Sequence, residues 1–226
     1  HRSKAIQTLA AEGKYGRVHS WGEETPPHEI PVVIPKEAPV IISDYHSRLG
    51  ARSGTRSQRH QGLDIYAKSG TPILAAVDGV VLEAVVESCW GPTILIDHGQ
   101  DESGQPLLAL YGHLGEMMVV SGEQVKRGQQ IAEMGPPLPK CGVGMEHLRF
   151  QLARQARGPE KHGAWGYSFF VKDGHRSPNP HLFWANGPGH VTCFRFGEVY
   201  PEGTLTYPVA CRPPEESRLQ AQATAG

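Results

Sequence analysis

Five polar residues in this chain could form one catalytic centre: His60 and Asp64, four positions apart, and then His113, His147 and Arg149. Zinc hydrolases commonly hold the metal with three protein ligands and leave the fourth position to a water, whose pKa falls to about 7. His60 and Asp64 could supply two ligands. A histidine and an aspartate four positions apart are weak evidence alone, because a histidine beside a glycine-rich turn is more often a surface residue.

The residues around His147 determine whether such a centre could hold a metal. His147 and Arg149 stand two apart in a predicted strand, so their side chains share one face of the sheet. A histidine at position 149 would place a metal ligand beside His147, but the chain has an arginine there. A guanidinium stays protonated. At about 4 Å from a divalent cation it is repelled by roughly 8 kcal/mol at an effective dielectric constant of about 20. Zinc binding with Arg149 turned inward is therefore unfavourable.

Short β-strands are the elements that must position these residues. From about residue 40 to residue 155, short apolar segments alternate with turn residues, and no run of helix length shows a 3.6-residue period. This pattern predicts an antiparallel β core that ends with a strand at 148–152. His98 is interpreted as a turn residue closing a strand, and residues 191–211 as a terminal hairpin. We assign no function to residues 190–211 from the sequence.

The composition is typical of a loop-rich β protein. The chain has 226 residues, with 27 glycines, 19 prolines and 38% hydrophobic residues, which suffices for one domain with a core and a small appendage. A net charge of −1 gives no electrostatic footprint for nucleic acid. No segment approaches the ~18 apolar residues of a membrane span, so no transmembrane segment is expected.

The four cysteines, Cys89, Cys141, Cys193 and Cys211, allow three pairings. Cys193 and Cys211 lie close together in the C-terminal segment, so a local bridge between them is plausible. Cys89 and Cys141 would then pair with each other or stay free. An even cysteine count fits an oxidising compartment.

A set of short motifs, spread over roughly Ile41 to Arg154, resembles the lysostaphin/LytM family of peptidoglycan endopeptidases. In chain order the motifs are Ser47-Arg48-Leu49-Gly50, His60-x-Gly62-Leu63-Asp64-Ile65, Gly70-Thr71-Pro72-Ile73, Ala75-Ala76-Val77-Asp78-Gly79-Val80-Val81, Ile96-Asp97-His98-Gly99, Tyr111-x-His113-Leu114, Gly122-x5-Gly128-Gln129-x-Ile131, His147-Leu148-x-Phe150 and Asn179-Pro180. The resemblance implies a mainly β fold: an open, twisted antiparallel sheet of LytM type, similar to a duplicated hybrid motif.

The resemblance also implies roles for the polar residues. His60 and Asp64 would hold zinc, and His113 and His147 would orient water and stabilise the transition state. The family's third ligand is a histidine at the position of Arg149, which makes zinc doubtful as a cofactor. Two outcomes stay open. Arg149 could swing outward while another ligand fills in, or it could pair with Asp64 and replace the charge of the metal. The candidate replacement ligands are Cys141, His162, His175 and His181.

The resemblance further places the loops that carry Cys89 and Cys141 at the border of the substrate groove, where a bridge between them would stiffen the wall. We expect an N-terminal wrapping segment or linker at 1–40, the LytM-type core at 41–155, a short C-terminal extension at 156–212 that closes the domain, and a disordered tail at 213–226.

Two functions compete on this basis. One is a zinc metalloendopeptidase that hydrolyses peptide cross-links of peptidoglycan. The other is a metal-free, degenerate module that binds peptidoglycan or a partner amidase and regulates cell-wall hydrolysis. Either would act in the periplasm or outside the cell, and nucleic acid is not expected as a partner.

Overall fold

The computed structural model describes residues 30–47, 59–88, 90–138, 144–156 and 177–213. Within these ranges the chain forms β-strands and one short 3₁₀ helix, Pro180–Leu182, and no α-helix. The strands are β1 (Ile41–Ser43), β2 (Leu63–Ile65), β3 (Pro72–Leu74), β4 (Gly79–Glu87), β5 (Gly91–Gln100), β6 (Pro106–Gly112), β7 (Leu114–Met117), β8 (Gln124–Val125), β9 (Gln130–Met134) and β10 (Leu148–Ala153). None of the described helical residues forms a segment that could cross a bilayer.

The strands form two antiparallel sheets. Seven strands lie in the order β1-β2-β10-β6-β5-β4-β8, and three lie in the order β3-β9-β7. This architecture confirms the predicted mainly β, antiparallel fold. The central position of β10 matters for function, because it brings the last strand of the core between β2 and β6, which precede it by many residues.

Side chains alternate across β2 and β10 as the two-residue period of a strand requires. Leu63 and Ile65 of β2, and Leu148 and Phe150 of β10, are fully buried in the main hydrophobic core. The residues between them therefore project from the opposite face of the sheet. Asp64 and Arg149 are those residues.

Gly62 allows β2 to lie close to β10. A Cβ atom added at Gly62 would stand 2.4 Å from the carbonyl oxygen of Phe150. Because that oxygen belongs to the backbone, no side-chain rotation can relieve the clash. The glycine in the His60-to-Asp64 motif is thus required by strand packing. The same packing holds Asp64 beside the neighbouring strand.

The C-terminal extension packs against the same core, but it is not the predicted hairpin. Between residues 191 and 211 the structure contains no paired strands, only isolated bridges such as Trp184 with Leu205 and Ile73 with Val209. Trp184, Leu205 and Val209 are nevertheless at most 1% exposed. The extension is held by side-chain burial and scattered backbone hydrogen bonds instead of a β ladder.

A disulfide joins Cys193 to Cys211 across 18 residues of the extension. The described part of the N-terminal segment runs beside the same region, where Val33 donates its backbone N–H to Gly189 and accepts one from Val191. Cys89 and Cys141 lie outside the described residues, as do residues 1–29 and 214–226 of the predicted N-terminal segment and tail.

The interpretation of His98 as a turn residue is wrong. His98 lies inside β5 and is 7% exposed. Its Nδ1 donates to the carbonyl oxygen of Asp78 at 3.0 Å, and its Nε2 accepts from the hydroxyl of Tyr111 at 3.3 Å. Burial lowers the pKa of His98 to about 4, although the hydrogen bond to the Asp78 carbonyl and the nearby Asp97 act in the opposite direction. The ring is therefore neutral near pH 7.

Candidate functional site

The register of three neighbouring strands creates the candidate site. Arg149 of β10 is the Cα partner of Asp64 on β2 and of Gly112 on β6. Directly opposed residues on one face of an antiparallel pair bring their side chains together. Asp64 and Arg149 thus meet because of strand register. The absence of a side chain at Gly112 makes room for the Trp90 ring, since a Cβ there would lie 2.8 Å from that ring and 3.5 Å from Cβ of Arg149.

His60 precedes β2 and is held by the segment after β1. His46 donates its backbone N–H to the His60 carbonyl at 2.7 Å, and His60 donates its own to Ser47 at 2.9 Å. His60 is buried, with only 1% of the residue exposed. Its Nδ1 donates to the main-chain carbonyl of Asp44 at 2.8 Å, and its Nε2 lies 3.1 Å from Oδ1 of Asp64.

His113 occupies the junction between β6 and β7. Its φ angle is 64°, in the left-handed region that residues other than glycine rarely adopt. The backbone N–H and Nδ1 of His113 both donate to the carbonyl oxygen of Trp90, at 2.8 and 3.1 Å. Strained backbone of this kind clusters at functional sites. Burial, and then the electrostatic effect of the neighbouring His147 ring, lower the pKa of His113 to about 3.

His147 completes the histidine set. Its ring meets that of His113 edge-on at a centroid distance of 4.9 Å. Nδ1 of His147 donates to the Met145 carbonyl at 2.9 Å, and Nε2 lies 3.9 Å from Oδ1 of Asp64. In His60, His113 and His147 alike, a backbone carbonyl therefore fixes a hydrogen on Nδ1. This common arrangement is the one that usually orients a metal-binding imidazole.

Arg149 supplies a permanent positive charge at this site. Its Nη1 lies 3.4 Å from Oδ1 of Asp64, and its Nη2 donates to Oε1 of Gln151 at 2.6 Å. The guanidinium also stacks over the Trp90 ring, with its carbon 5.6 Å from the ring centroid, a favourable cation–π distance. A carboxylate, an amide oxygen and an aromatic ring together hold the guanidinium inward, and only 12% of the side chain is exposed.

The residues present do not fit a zinc ion. His60 and Asp64 offer two atoms that could ligate one ion, Nε2 and Oδ1. The Arg149 guanidinium occupies the space beside Oδ1 of Asp64, and it cannot become a ligand. Across the described ranges, no group of three His, Cys, Asp or Glu side chains is arranged to hold a metal. His181, one predicted replacement, contacts Asp44 and Trp184 instead. Cys141, His162 and His175 lie outside the described residues.

Several residues that the sequence analysis did not single out contribute to the site. Trp90 and Gln151 contact Arg149, and Asp44 contacts His60. The position of Gln151, two residues after Arg149 on the same strand face, was a signal that could have identified it. Asp44 and Trp90 carried no comparable signal, because their contacts depend on chain segments far away in sequence.

Comparison with known proteins identifies the domain. Residues 58–160 match the model of Peptidase family M23. This region is an M23 domain. It contains His60, Asp64, His113, His147 and Arg149, so these five residues of the candidate site lie within the matched region. The match confirms the predicted resemblance to lysostaphin and LytM.

The names of three curated relatives describe a lipoprotein, an activator and an endopeptidase. The chain is 33% identical over 107 residues to the lipoprotein NlpD/LppB homolog of Pseudomonas aeruginosa, covering 47% of this chain and 33% of that protein. It is 32% identical over 99 residues to the murein hydrolase activator EnvC of Escherichia coli, covering 44% and 22%. It is 33% identical over 119 residues to the peptidoglycan DD-endopeptidase ShyC of Vibrio cholerae, covering 53% and 22%. The chain thus spans a third or less of these relatives' lengths.

Solved structures similar to this one include peptidases. The catalytic domain of lysostaphin from Staphylococcus simulans is 23% identical, with 61% of this chain and 85% of that chain covered and a TM-score of 0.43. A zinc-containing peptidase from Vibrio cholerae is 27% identical, with 54% and 35% covered and a TM-score of 0.43.

Proposed function

We propose that this M23 domain is a metal-free binding module that regulates cell-wall hydrolysis instead of performing it. The observation that supports this function is the contact between Arg149 and Asp64, 3.4 Å between Nη1 and Oδ1. Asp64 stands where the resemblance expects a metal ligand, and Arg149 stands where it expects another. A guanidinium at that point supplies the positive charge that Asp64 requires.

Arg149 can replace the charge of a metal but not its chemistry. A metal ion activates a bound water by lowering its pKa, whereas a guanidinium has no open coordination position. His60, His113 and His147 keep their orientation through backbone carbonyls. The groove can therefore retain a shape suited to a peptide without holding an activated water.

We propose peptidoglycan peptides, or an amidase that cleaves the cell wall, as the binding partner. Two relatives support this class, since one is named a murein hydrolase activator and another a peptidoglycan endopeptidase. A periplasmic or secreted location agrees with the lipoprotein name of a third relative. The disulfide between Cys193 and Cys211 also agrees with it, because disulfides persist in oxidising compartments.

The competing function is a zinc endopeptidase with Arg149 displaced. The shared Nδ1 arrangement of the three histidines favours it, because metal-binding imidazoles are oriented in this way. It requires the guanidinium to leave Asp64, Gln151 and the Trp90 ring together. The balance of contacts is against this movement.

Zinc content per chain tests the proposal directly. We would purify the native chain, Arg149→His and the control Arg195→His without chelator or metal-affinity tag, and measure zinc by elemental analysis. We expect no bound zinc in the native chain or in Arg195→His, and close to one zinc per chain in Arg149→His. One zinc per native chain would contradict the proposal and support the peptidase.

A further inference from the structure

The C-terminal extension reaches the candidate site through a buried histidine. His181 lies in the 3₁₀ helix Pro180–Leu182 and is 1% exposed. It belongs to neither the M23-matched residues 58–160 nor the histidines that face Asp64. Its two ring nitrogens contact Trp184 and Asp44. These contacts connect the extension to the loop that holds His60.

The hydrogen-bond partners determine the tautomer of His181. The indole Nε1–H of Trp184 can only donate, and it lies 3.0 Å from Nδ1 of His181. Nδ1 must therefore be an acceptor, and the hydrogen of the ring is on Nε2. That Nε2–H donates to Oδ1 of Asp44 at 2.8 Å.

Asp44 passes this restraint to His60 through its own backbone. Its carboxylate accepts from His181 and from the backbone N–H of Tyr45, at 2.8 and 2.7 Å. Both contacts limit rotation of the peptide whose carbonyl oxygen accepts Nδ1–H of His60 at 2.8 Å. All the groups in this chain of contacts are buried, where hydrogen bonds compete little with water.

We propose that His181 and Asp44 are positioning residues of the site, and that they hold His60 with a hydrogen on Nδ1 and with Nε2 toward Asp64. This inference rests on the proposed function, because it names what fixes one side of the same site. The C-terminal extension is accordingly part of the functional unit. A truncated M23 domain without residues 177–212 would lose this restraint.

A purely structural role for His181 makes a different prediction. Tyr207 offers a matched comparison, because it lies in the same extension, is fully buried and donates a hydrogen bond to the Pro39 carbonyl at 2.8 Å. Loss of either hydrogen bond should lower stability. Only loss of the His181 contact should change the state of the His60 ring.

The test uses long-range proton–nitrogen NMR spectra of the histidine rings at one fixed pH. We would compare the full chain with His181→Phe, the conservative His181→Gln and the control Tyr207→Phe, and assign the His60 signals by their loss in His60→Gln. We expect a hydrogen on Nδ1 of His60 in the native chain. In His181→Phe, exchange of that hydrogen with water should be roughly tenfold faster.

The outcomes separate the alternatives. His181→Gln retains a donor and an acceptor, so it should restore the slow exchange, and Tyr207→Phe should leave it unchanged. Unchanged exchange at His60 in a folded His181→Phe variant would overturn the proposal. If His181→Phe does not fold, the native spectrum still decides, because a His60 ring with a bare Nδ1 contradicts the geometry. Zinc content does not enter this readout, so the proposed function can fail separately.

Discussion

Arg149 and Asp64 face each other across β10 and β2 as direct Cα partners, with 3.4 Å between Nη1 and Oδ1. Their side chains are only 12% and 9% exposed. The pair is therefore largely shielded from water, and each charge depends on the other for compensation. Gln151 and Trp90 also contact the guanidinium. The positive charge of the site thus belongs to a residue of β10, and three neighbouring side chains hold it in place.

Removal of the guanidinium should destabilise the fold. Arg149→Met keeps an unbranched apolar stem but removes the guanidinium, which is the cation beside the nearly buried Asp64 carboxylate. We expect a loss of about 3 kcal/mol in the free energy of unfolding, because breaking a buried pair leaves an uncompensated charge. Urea denaturation of the native and variant chains measures it.

Two further variants test the origin of that loss. Arg149→Lys keeps the charge but cannot offer separate nitrogens to Asp64 and Gln151, so it should recover only part of the stability. Asp64→Asn combined with Arg149→Met should be less destabilised than the sum of the single changes, with a coupling energy of about 1 kcal/mol or more. Strict additivity would mean that the two side chains do not interact.

Gly62→Ala should disrupt the approach of β2 to β10. The added Cβ would stand 2.4 Å from the Phe150 carbonyl oxygen, so the strands must separate. We expect a loss of about 2 to 3 kcal/mol, typical of overpacking, measured by thermal or urea unfolding. Gly144→Ala is the control, because a Cβ there meets nothing within 4 Å. Equal losses in both variants would argue against the close approach.

The buried His98 ring should make stability depend on pH. Its folded pKa of about 4 lies below the ordinary 6.5, so the unfolded chain binds a proton first as pH falls. The contribution of neutral His98 is complete above pH 6.5 and is lost as pH falls toward 4. Within this window the free energy of unfolding should fall by about 1.4 kcal/mol per pH unit on account of this one group.

Substitution isolates the contribution of His98. Urea unfolding at a series of pH values should show a shallower decline for His98→Gln than for the native chain. The control His190→Gln, which alters an exposed histidine, should keep the native slope. A native slope in His98→Gln would show that the ring gains a proton in the folded state as easily as in the unfolded chain.

Reduction of the disulfide should loosen the C-terminal extension. The bridge between Cys193 and Cys211 closes a loop with a sequence separation of 18, and a loop of that size is worth about 3 kcal/mol in the chain-entropy model. We expect a loss of this size in Cys193→Ser with Cys211→Ser, measured by urea unfolding. The native chain under reducing conditions should match the double variant, and an unchanged midpoint on reduction would contradict the expectation.

The sequence predicted the β architecture well because short apolar segments alternate with turn residues along the core, and no segment of helix length has a 3.6-residue period. It was less successful for the C-terminal extension. Residues 191–211 contain short apolar segments that suggested a hairpin, but Leu205, Tyr207 and Val209 are buried against the core without a paired strand. His98 was misjudged for a related reason, since a following Gly99 suggested a turn while burial against Tyr111 fixed the ring inside β5.

The sequence by itself showed an arginine at position 149, where the resemblance expects a metal ligand, and it placed Arg149 on the same strand face as His147. The first conclusion follows from the resemblance, and the second from the two-residue period of a strand. Only the tertiary structure decided that Arg149 turns inward and that His181 supports Asp44 instead of replacing a ligand. The direction of Arg149 depends on Asp64, 85 residues away, and the position of His181 depends on Asp44, 137 residues away. Contacts over such separations are set by strand register and core packing, which no local pattern encodes.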